Sequence, residues 1–223
     1  MTTLSDTPAV TTPAARSTAG ARLLAAAVLG APVLLSINSA FHPRVDITAE
    51  SLLEGAGTGP DQWYAVHLVA ALGAMLGIAA AIGLRTLVVG RGRRLSTVAL
   101  ALTVLGAPIL AMSFAIEAAV LRLATDLEPT AGLALAEGYV DAPDFYAVPA
   151  AIALVTLGSL LMAVALVLSR AVPRWMSLTL CVATVATALA APGTPVGPIA
   201  FGAVSVVSVF LALEIASNRA PRR

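Results

Sequence analysis

The chain of 223 residues is 59% hydrophobic and only 11% charged, and its mean hydropathy is +0.93. An average soluble domain carries roughly 25% charged residues, and it needs such polar surface to remain in solution. The composition therefore excludes a soluble globular domain and predicts an integral membrane protein. The net charge of +1, with the arginines spread over separate segments, also excludes a nucleic-acid-binding surface.

Six apolar segments are long enough to cross a hydrocarbon core of ~30 Å, which takes about 20 helical residues. They lie at about residues 22–41, 64–85, 95–121, 147–169, 175–191 and 197–216. We therefore expect an all-α fold, a polytopic membrane bundle of six transmembrane helices, over residues 21–217.

The two ends of the chain differ from these segments in composition. Residues 1–20 are rich in Thr, Ser, Pro and Ala without apolar periodicity, which predicts a disordered cytoplasmic tail. Residues 218–223 predict a short basic cytoplasmic tail. The first apolar segment imitates a signal peptide, but Asn38 stands where a cleavage site after Ala40 would want a small residue. We interpret that segment as a retained first helix.

The arginines predict the orientation, because cytoplasmic segments carry an excess of positive charge. With the N-terminus inside, eleven of the thirteen arginines lie on the cytoplasmic side, and nine of the twelve acidic residues lie outside. We therefore expect both termini to be cytoplasmic and the protein to lie in the plasma membrane. Aromatic residues near the segment ends, among them Trp63, Tyr64 and Trp175, predict an interfacial belt.

Two pairs of similar stretches indicate an internal repeat. The stretch VLGAPVL at 28–34 matches VLGAPIL at 104–110, and PDQWYAVH at 60–67 resembles PDFYAVP at 143–149 with one residue fewer. Each half would be a helical hairpin with an acidic outer loop, and both would have the same orientation. Chance similarity is the alternative in a chain so rich in Ala, Val, Leu and Gly.

The second segment also carries a packing signal. Gly73 and Gly77 have the small-xxx-small spacing that permits close contact between helices. We therefore predict that both glycines face a neighbouring helix.

Polar residues at the outer ends of three segments predict a candidate site. A rise of 1.5 Å per residue places His42, His67 and Glu117 at one level, and Asn38 shares a helical face with His42. Ionisable groups at membrane depth are functional hypotheses by default, so we predict a ligand-binding pocket formed by Asn38, His42, His67 and Glu117. Its ligand would be a small molecule, a proton or a metal ion. The structural alternative is that the histidines bond to loop backbone and that Glu117 pairs with Arg122 or reaches water.

The two histidines also suggest a haem or metal site, because imidazole is the commonest side-chain metal ligand. His42 precedes a proline at a helix end, and a metal would need a third strong ligand, so we expect no metal and no cofactor.

Cys181 is the single cysteine, which excludes an intrachain disulfide. Motifs such as GxSxG and HExxH are absent, so we predict no catalytic residues and no enzymatic activity.

The plan of six segments, with Asn38-x-x-x-His42-Pro43 closing the first and Trp63-x-x-x-His67 opening the second, resembles uncharacterised small actinobacterial membrane proteins. The resemblance implies no established activity. We expect a non-enzymatic accessory or sensing protein with an outward-facing polar pocket. Its partners would be the lipid bilayer and other membrane proteins or further copies of itself, and not nucleic acid. The alternatives are a small transporter or channel for a neutral or apolar solute, or a membrane redox protein that uses His42 and His67.

Overall fold

The computed structural model describes residues 18–143, 145–190 and 195–217, and all regular structure within these ranges is helical. The predicted disordered tail lies outside the described residues, except for residues 18–20, which belong to the first helix. The predicted basic tail at 218–223 also lies outside them.

The described residues form eight α-helices. In chain order they are α1 (Thr18–Phe41), α2 (Ala49–Thr58), α3 (Pro60–Leu87), α4 (Arg93–Ala124), α5 (Pro129–Val140), α6 (Ala147–Ser169), α7 (Arg174–Leu189) and α8 (Val196–Ala216). Five of them, α1, α3, α4, α6 and α8, are long and apolar enough to cross a membrane, and α7 is a shorter apolar helix. The structure thus supports a helical membrane bundle, with five helices long enough to span it and one shorter apolar helix, where the sequence predicts six spanning helices.

The six apolar helices pack as a closed ring, in which each packs mainly against two neighbours, and α3 also touches α6 and α8. The order around the ring is α1, α3, α4, α6, α7 and α8, which returns to α1. The largest buried cluster includes Leu166, Met176 and Leu211 and lies toward the arginine-rich end of the ring. Many leucine, valine and isoleucine side chains are exposed on the helices, as is expected of a surface that faces lipid.

Glycines determine how closely the helices approach. A Cβ built on Gly73 would lie 3.2 Å from the Cβ of Leu34, so α3 packs tightly against α1. The prediction that Gly77 shares this contact is wrong, since a Cβ there would meet nothing within 4 Å. A tighter contact joins α4 and α6, where a Cβ on Gly158 would lie 2.9 Å from the carbonyl oxygen of Ala99. Close packing therefore involves Gly73 on α3 and Gly158 on α6, and not Gly77.

The two short helices α2 and α5 pack against each other at one end of the ring, and we call them the helical cap. The sequence predicts acidic loops here, but local signals start both helices. The Thr48 hydroxyl accepts a hydrogen bond from the Ser51 amide at the start of α2, and Pro129 is the first residue of α5. The buried core of the cap consists of Ala49, Leu52, Ala56, Trp63, Leu121 and Ala136. The cap thereby packs onto the ends of α3 and α4 that carry the predicted site.

The first six helices follow one plan twice. A long helix with a proline inside it, Pro32 in α1 and Pro108 in α4, leads to a short cap helix, and a second long helix returns. Because α2 and α5 meet at the same end of the ring, both units have the same orientation. This common plan is what the predicted repeat of two hairpins requires.

Candidate functional site

Three of the predicted site residues lie together beside the helical cap. His42 follows the last residue of α1, His67 lies near the start of α3, and Glu117 lies in the last third of α4. One ligand atom from each residue can be chosen so that all three lie within 4.8 Å of one another. We call these residues the His–His–Glu cluster.

His67 is the buried member, with a side chain that is 1% exposed. Its Nδ1 lies 2.8 Å from the carbonyl oxygen of Trp63, and its Nε2 lies 3.3 Å from Oε1 of Glu117. A carbonyl oxygen only accepts hydrogen bonds, so Nδ1 carries a proton. In the neutral ring the lone pair of Nε2 then faces a carboxylate oxygen, which also only accepts. The contact therefore requires a proton or a cation between the two atoms.

His42 has the same arrangement of its ring nitrogens. Its Nδ1 lies 2.7 Å from the carbonyl oxygen of Pro43, which leaves Nε2 as the acceptor of the neutral ring. The ring centroid lies 4.9 Å from that of His67. Burial lowers the pKa of His42 below its ordinary value of 6.5, and the charge of His67 lowers it further, while the bond to Pro43 and the charge of Glu117 act in the opposite direction. The lowered pKa favours the neutral ring at pH 7, which is the form that binds metals.

Glu117 is held by the cap. Its side chain is 17% exposed, and Oε2 accepts a hydrogen bond of 3.3 Å from the hydroxyl of Tyr139 in α5. Burial raises the pKa of Tyr139, and the charge of Glu117 raises it further, so the hydroxyl remains a donor. The alternative pairing of Glu117 with Arg122 is wrong, because Arg122 pairs with Asp126 at 2.6 Å and with Asp61 at 3.3 Å.

Asn38 joins two helices next to the cluster. Its side-chain amide donates a hydrogen bond of 3.2 Å to the carbonyl oxygen of Val66. One helical turn away, the amide of Gln62 donates to the carbonyl oxygen of Phe41 at 3.0 Å. Both bonds tie the end of α1 to the start of α3, and so they set the distance between His42 and His67. A direct contact of Asn38 with a ligand stays a prediction.

Trp63 forms one wall of the site. The prediction that it lies in an interfacial belt is wrong, because its side chain is 0% exposed, whereas Tyr64 and Trp175 are exposed as a belt requires. The Trp63 ring stacks on His67 with a centroid distance of 4.5 Å. Within the described part of the chain, its Nε1 has no hydrogen-bond partner. The sequence predicts neither this wall nor the role of Tyr139, because Trp63 followed by Tyr64 is typical of an interfacial belt and Tyr139 belongs to no motif that indicates a site.

The sequence pattern of a protein family described as a domain of unknown function, DUF4386, matches residues 18–219. The chain belongs to the DUF4386 family. The match includes all eight helices of the described residues, so the ring, the cap and the His–His–Glu cluster are all parts of the DUF4386 domain. No curated protein and no solved structure matches the chain.

A cavity of about 320 Å³ lies within the ring of this DUF4386 protein. Phe114 lines the cavity, and its ring centroid lies 6.3 Å from that of His67, so the cavity begins close to the cluster. The described lining residues include no charged side chain, and their polar groups are the hydroxyls of Thr103, Thr156, Ser159, Thr184, Thr187 and Ser208. The site therefore consists of an ionisable cluster near the cap and an apolar cavity next to it.

Proposed function

We propose that this DUF4386 protein is a non-enzymatic, multi-pass protein of the plasma membrane with an accessory or sensing role. The helical cap faces the outside, and the His–His–Glu cluster forms a polar pocket that receives a small ligand from there. Two imidazoles and one carboxylate converge from α1, α3 and α4, and this convergence is the observation that carries the proposal. Ionisable groups held at membrane depth are functional hypotheses by default.

The distribution of charge supports the proposed orientation. Acidic residues occur on the cap side, among them Glu54 in α2 and Glu137 in α5. The described arginines at the other end of the ring are Arg22, Arg85, Arg91, Arg93, Arg94, Arg170 and Arg174. Because cytoplasmic segments carry the excess of positive charge, the cap belongs on the outer side.

The position of the cluster suits a sensing role. A ligand there would contact α1, α3 and α4, and through Glu117 it would also affect Tyr139 in the cap. A ligand shifts a conformational equilibrium only by its difference in affinity for the two states. A ligand that bridges three helices and the cap binds two conformational states with different affinities whenever the helices and the cap are arranged differently in those states. Other membrane proteins, or a second copy of the chain, would receive the signal.

Cysteine labelling tests whether the pocket opens outward. In a Cys181→Ala background, His42→Cys should react with a small membrane-impermeant thiol reagent in intact cells. The matched control Arg91→Cys, at an exposed position on the arginine-rich side, should react only after the cells are permeabilised. Reaction of Arg91→Cys in intact cells, with His42→Cys protected, would overturn the proposed orientation and the outward pocket together.

The apolar cavity favours a second candidate function, the passage of a neutral or apolar solute. A cavity without a charged lining residue suits such a solute better than an ion.

Gly77 lines the cavity and a Cβ there meets nothing within 4 Å, so Gly77→Leu would fill it. Proteoliposomes in a glycerol gradient should then swell more slowly with this variant than with wild type. Gly57→Leu, at an exposed cap position, is the control. Wild-type swelling no faster than that of protein-free liposomes would reject glycerol passage.

A further inference from the structure

We propose that the ligand of the His–His–Glu cluster is a divalent transition-metal cation of the zinc class. Nε2 of His42, Nε2 of His67 and a carboxylate oxygen of Glu117 would hold it. This inference rests on the proposed function, since it names the ligand of the same pocket. It also reverses the expectation of no metal, which was based on the lack of a third strong ligand, because the structure brings Glu117 to the two histidines.

Both histidines have the hydrogen bonds that metal-binding histidines use. The Nδ1 of His42 bonds to a backbone carbonyl at 2.7 Å, and the Nδ1 of His67 bonds to another at 2.8 Å. Metal-ligating histidines almost always donate their other ring N–H in this way, which sets the tautomer and the direction of the ring. In the neutral form each ring therefore has its lone pair on Nε2, and the two rings lie side by side, with centroids 4.9 Å apart.

The distances suit a tetrahedral ion. With Zn–N and Zn–O distances of about 2.0–2.1 Å, two tetrahedral ligand atoms lie roughly 3.3 Å apart. Nε2 of His67 and Oε1 of Glu117 are 3.3 Å apart. One ligand atom from each of the three residues lies within 4.8 Å of the other two, so closing the site requires a shift of at most about 1.5 Å. His42 can make this shift more easily than the others, because it follows the end of α1 and lies outside a helix.

The electrostatics of the pocket also favour a cation. Glu117 brings a carboxylate to a largely buried position, where an uncompensated charge is costly. Its expected partner Arg122 is already paired with Asp61 and Asp126. The hydroxyl of Tyr139 bonds to Oε2, which leaves Oε1 on the side of the histidines. A divalent cation bound to Oε1 and the two Nε2 atoms would take the place of the proton that the contact between His67 and Glu117 otherwise requires, and that proton would be released on binding.

The donor atoms determine the class of metal. Calcium and magnesium prefer sites built from oxygen ligands, whereas imidazole suits zinc, copper, nickel and cobalt. Three protein ligands also leave a fourth tetrahedral position for water or another small ligand, which distinguishes the cluster from a closed structural zinc site. Such an open site suits reversible occupation, as a sensing or accessory role requires.

Equilibrium dialysis of the full-length purified protein tests the proposal. The protein should carry a tag without histidines, be stripped with a chelator in detergent, and be dialysed against zinc with millimolar magnesium present. We expect one zinc ion per wild-type chain and binding at least about tenfold weaker in Glu117→Gln and His42→Gln. Glu137→Gln, an exposed carboxylate on the cap, is the matched control and should bind like wild type. Zinc should raise the thermal midpoint of wild type and leave that of Glu117→Gln unchanged.

Cobalt binding by the wild-type protein provides a second test, which does not depend on whether the variants fold. Wild-type protein loaded with Co²⁺ should show the strong visible absorption of a tetrahedral cobalt site, and zinc should abolish it. Absence of zinc from wild type, or equal binding by Glu117→Gln and wild type, would overturn the metal assignment. Dialysis in detergent does not depend on membrane orientation, so this failure is distinct from failure of the labelling experiment with His42→Cys.

Discussion

Tyr139 in the cap donates a hydrogen bond of 3.3 Å to Oε2 of Glu117 in α4. The bond connects the cap to the ring at the residue whose other carboxylate oxygen faces His67. Tyr139 is therefore a positioning residue, because it orients the carboxylate and leaves Oε1 available to a metal.

Removal of this hydroxyl should weaken metal binding without abolishing it. Loss of a hydrogen-bond partner of a metal ligand typically lowers affinity by about 10–100-fold, so we expect Tyr139→Phe to weaken zinc binding by about tenfold. Competitive titration with a coloured zinc chelator measures the change. Tyr146→Phe, at an exposed position, should have no effect, and equal effects of both substitutions would show that Tyr139 does not orient Glu117.

The ring nitrogens of His42 provide a prediction for the metal-free protein. Its Nδ1 donates to a carbonyl and its pKa is lowered, chiefly by burial, so the ring should be neutral at pH 7 with the proton on Nδ1. NMR of protein labelled with ¹⁵N in histidine can measure this, since the chain has two histidines and His42→Gln assigns the signals. A proton on Nε2 of His42 would contradict the geometry of the cluster.

The same spectra test the influence of Glu117 on His42. The charge of Glu117 raises the pKa of His42, against the larger lowering by burial. Glu117→Gln removes that charge, so the midpoint of the His42 titration should move to lower pH in metal-free protein. An unchanged or higher midpoint would mean that the carboxylate does not face this imidazole.

The contact between α4 and α6 should be sensitive to a single methyl group. A Cβ on Gly158 would lie 2.9 Å from the carbonyl oxygen of Ala99, and overpacking of this kind costs about 1–3 kcal/mol. Gly158→Ala should therefore lower the thermal midpoint in detergent. Gly77→Ala meets nothing within 4 Å and should maintain or slightly raise it, since alanine is the better helix former by about 1 kcal/mol. Equal midpoints for the two variants would contradict the described packing.

The orientation of the cap can be tested without altering the pocket. Glu54 in α2 and Glu137 in α5 are exposed, so cysteines at either position, in a Cys181→Ala background, should react with an impermeant reagent in intact cells. Arg94→Cys is exposed on the opposite side and should be protected. Reaction of Arg94→Cys alone would place the cap in the cytoplasm.

The helical fold could be predicted from the sequence because a bilayer imposes its thickness on every apolar segment. The common level of His42, His67 and Glu117 followed from the same constraint, since the rise per residue of a helix is constant. The depth of a residue in the membrane can thus be calculated from its position within its own helix. Contact between these residues cannot be predicted in this way, because it depends on which helices are neighbours.

The rest of the site depends on neighbours that a linear pattern does not contain. Tyr139 reaches Glu117 only because α5 forms a helix and packs onto α4. An amphipathic ring such as that of Trp63 suits a membrane interface as well as a protein core. Trp63 lies in a core because α2 packs against it. For the same reason, Gly77 and Gly158 have similar local sequence surroundings and opposite environments.

X-ray absorption at the zinc edge of the loaded protein tests the central claim most directly, because it identifies the atoms bound to the metal. The His–His–Glu cluster predicts nitrogen and oxygen ligands at about 2.0–2.1 Å, with outer-shell scattering from two imidazole rings. Glu117→Gln should lose this signature and Glu137→Gln should retain it. A sulfur ligand at about 2.3 Å, or oxygen ligands without imidazole scattering, would contradict a metal site formed by His42, His67 and Glu117.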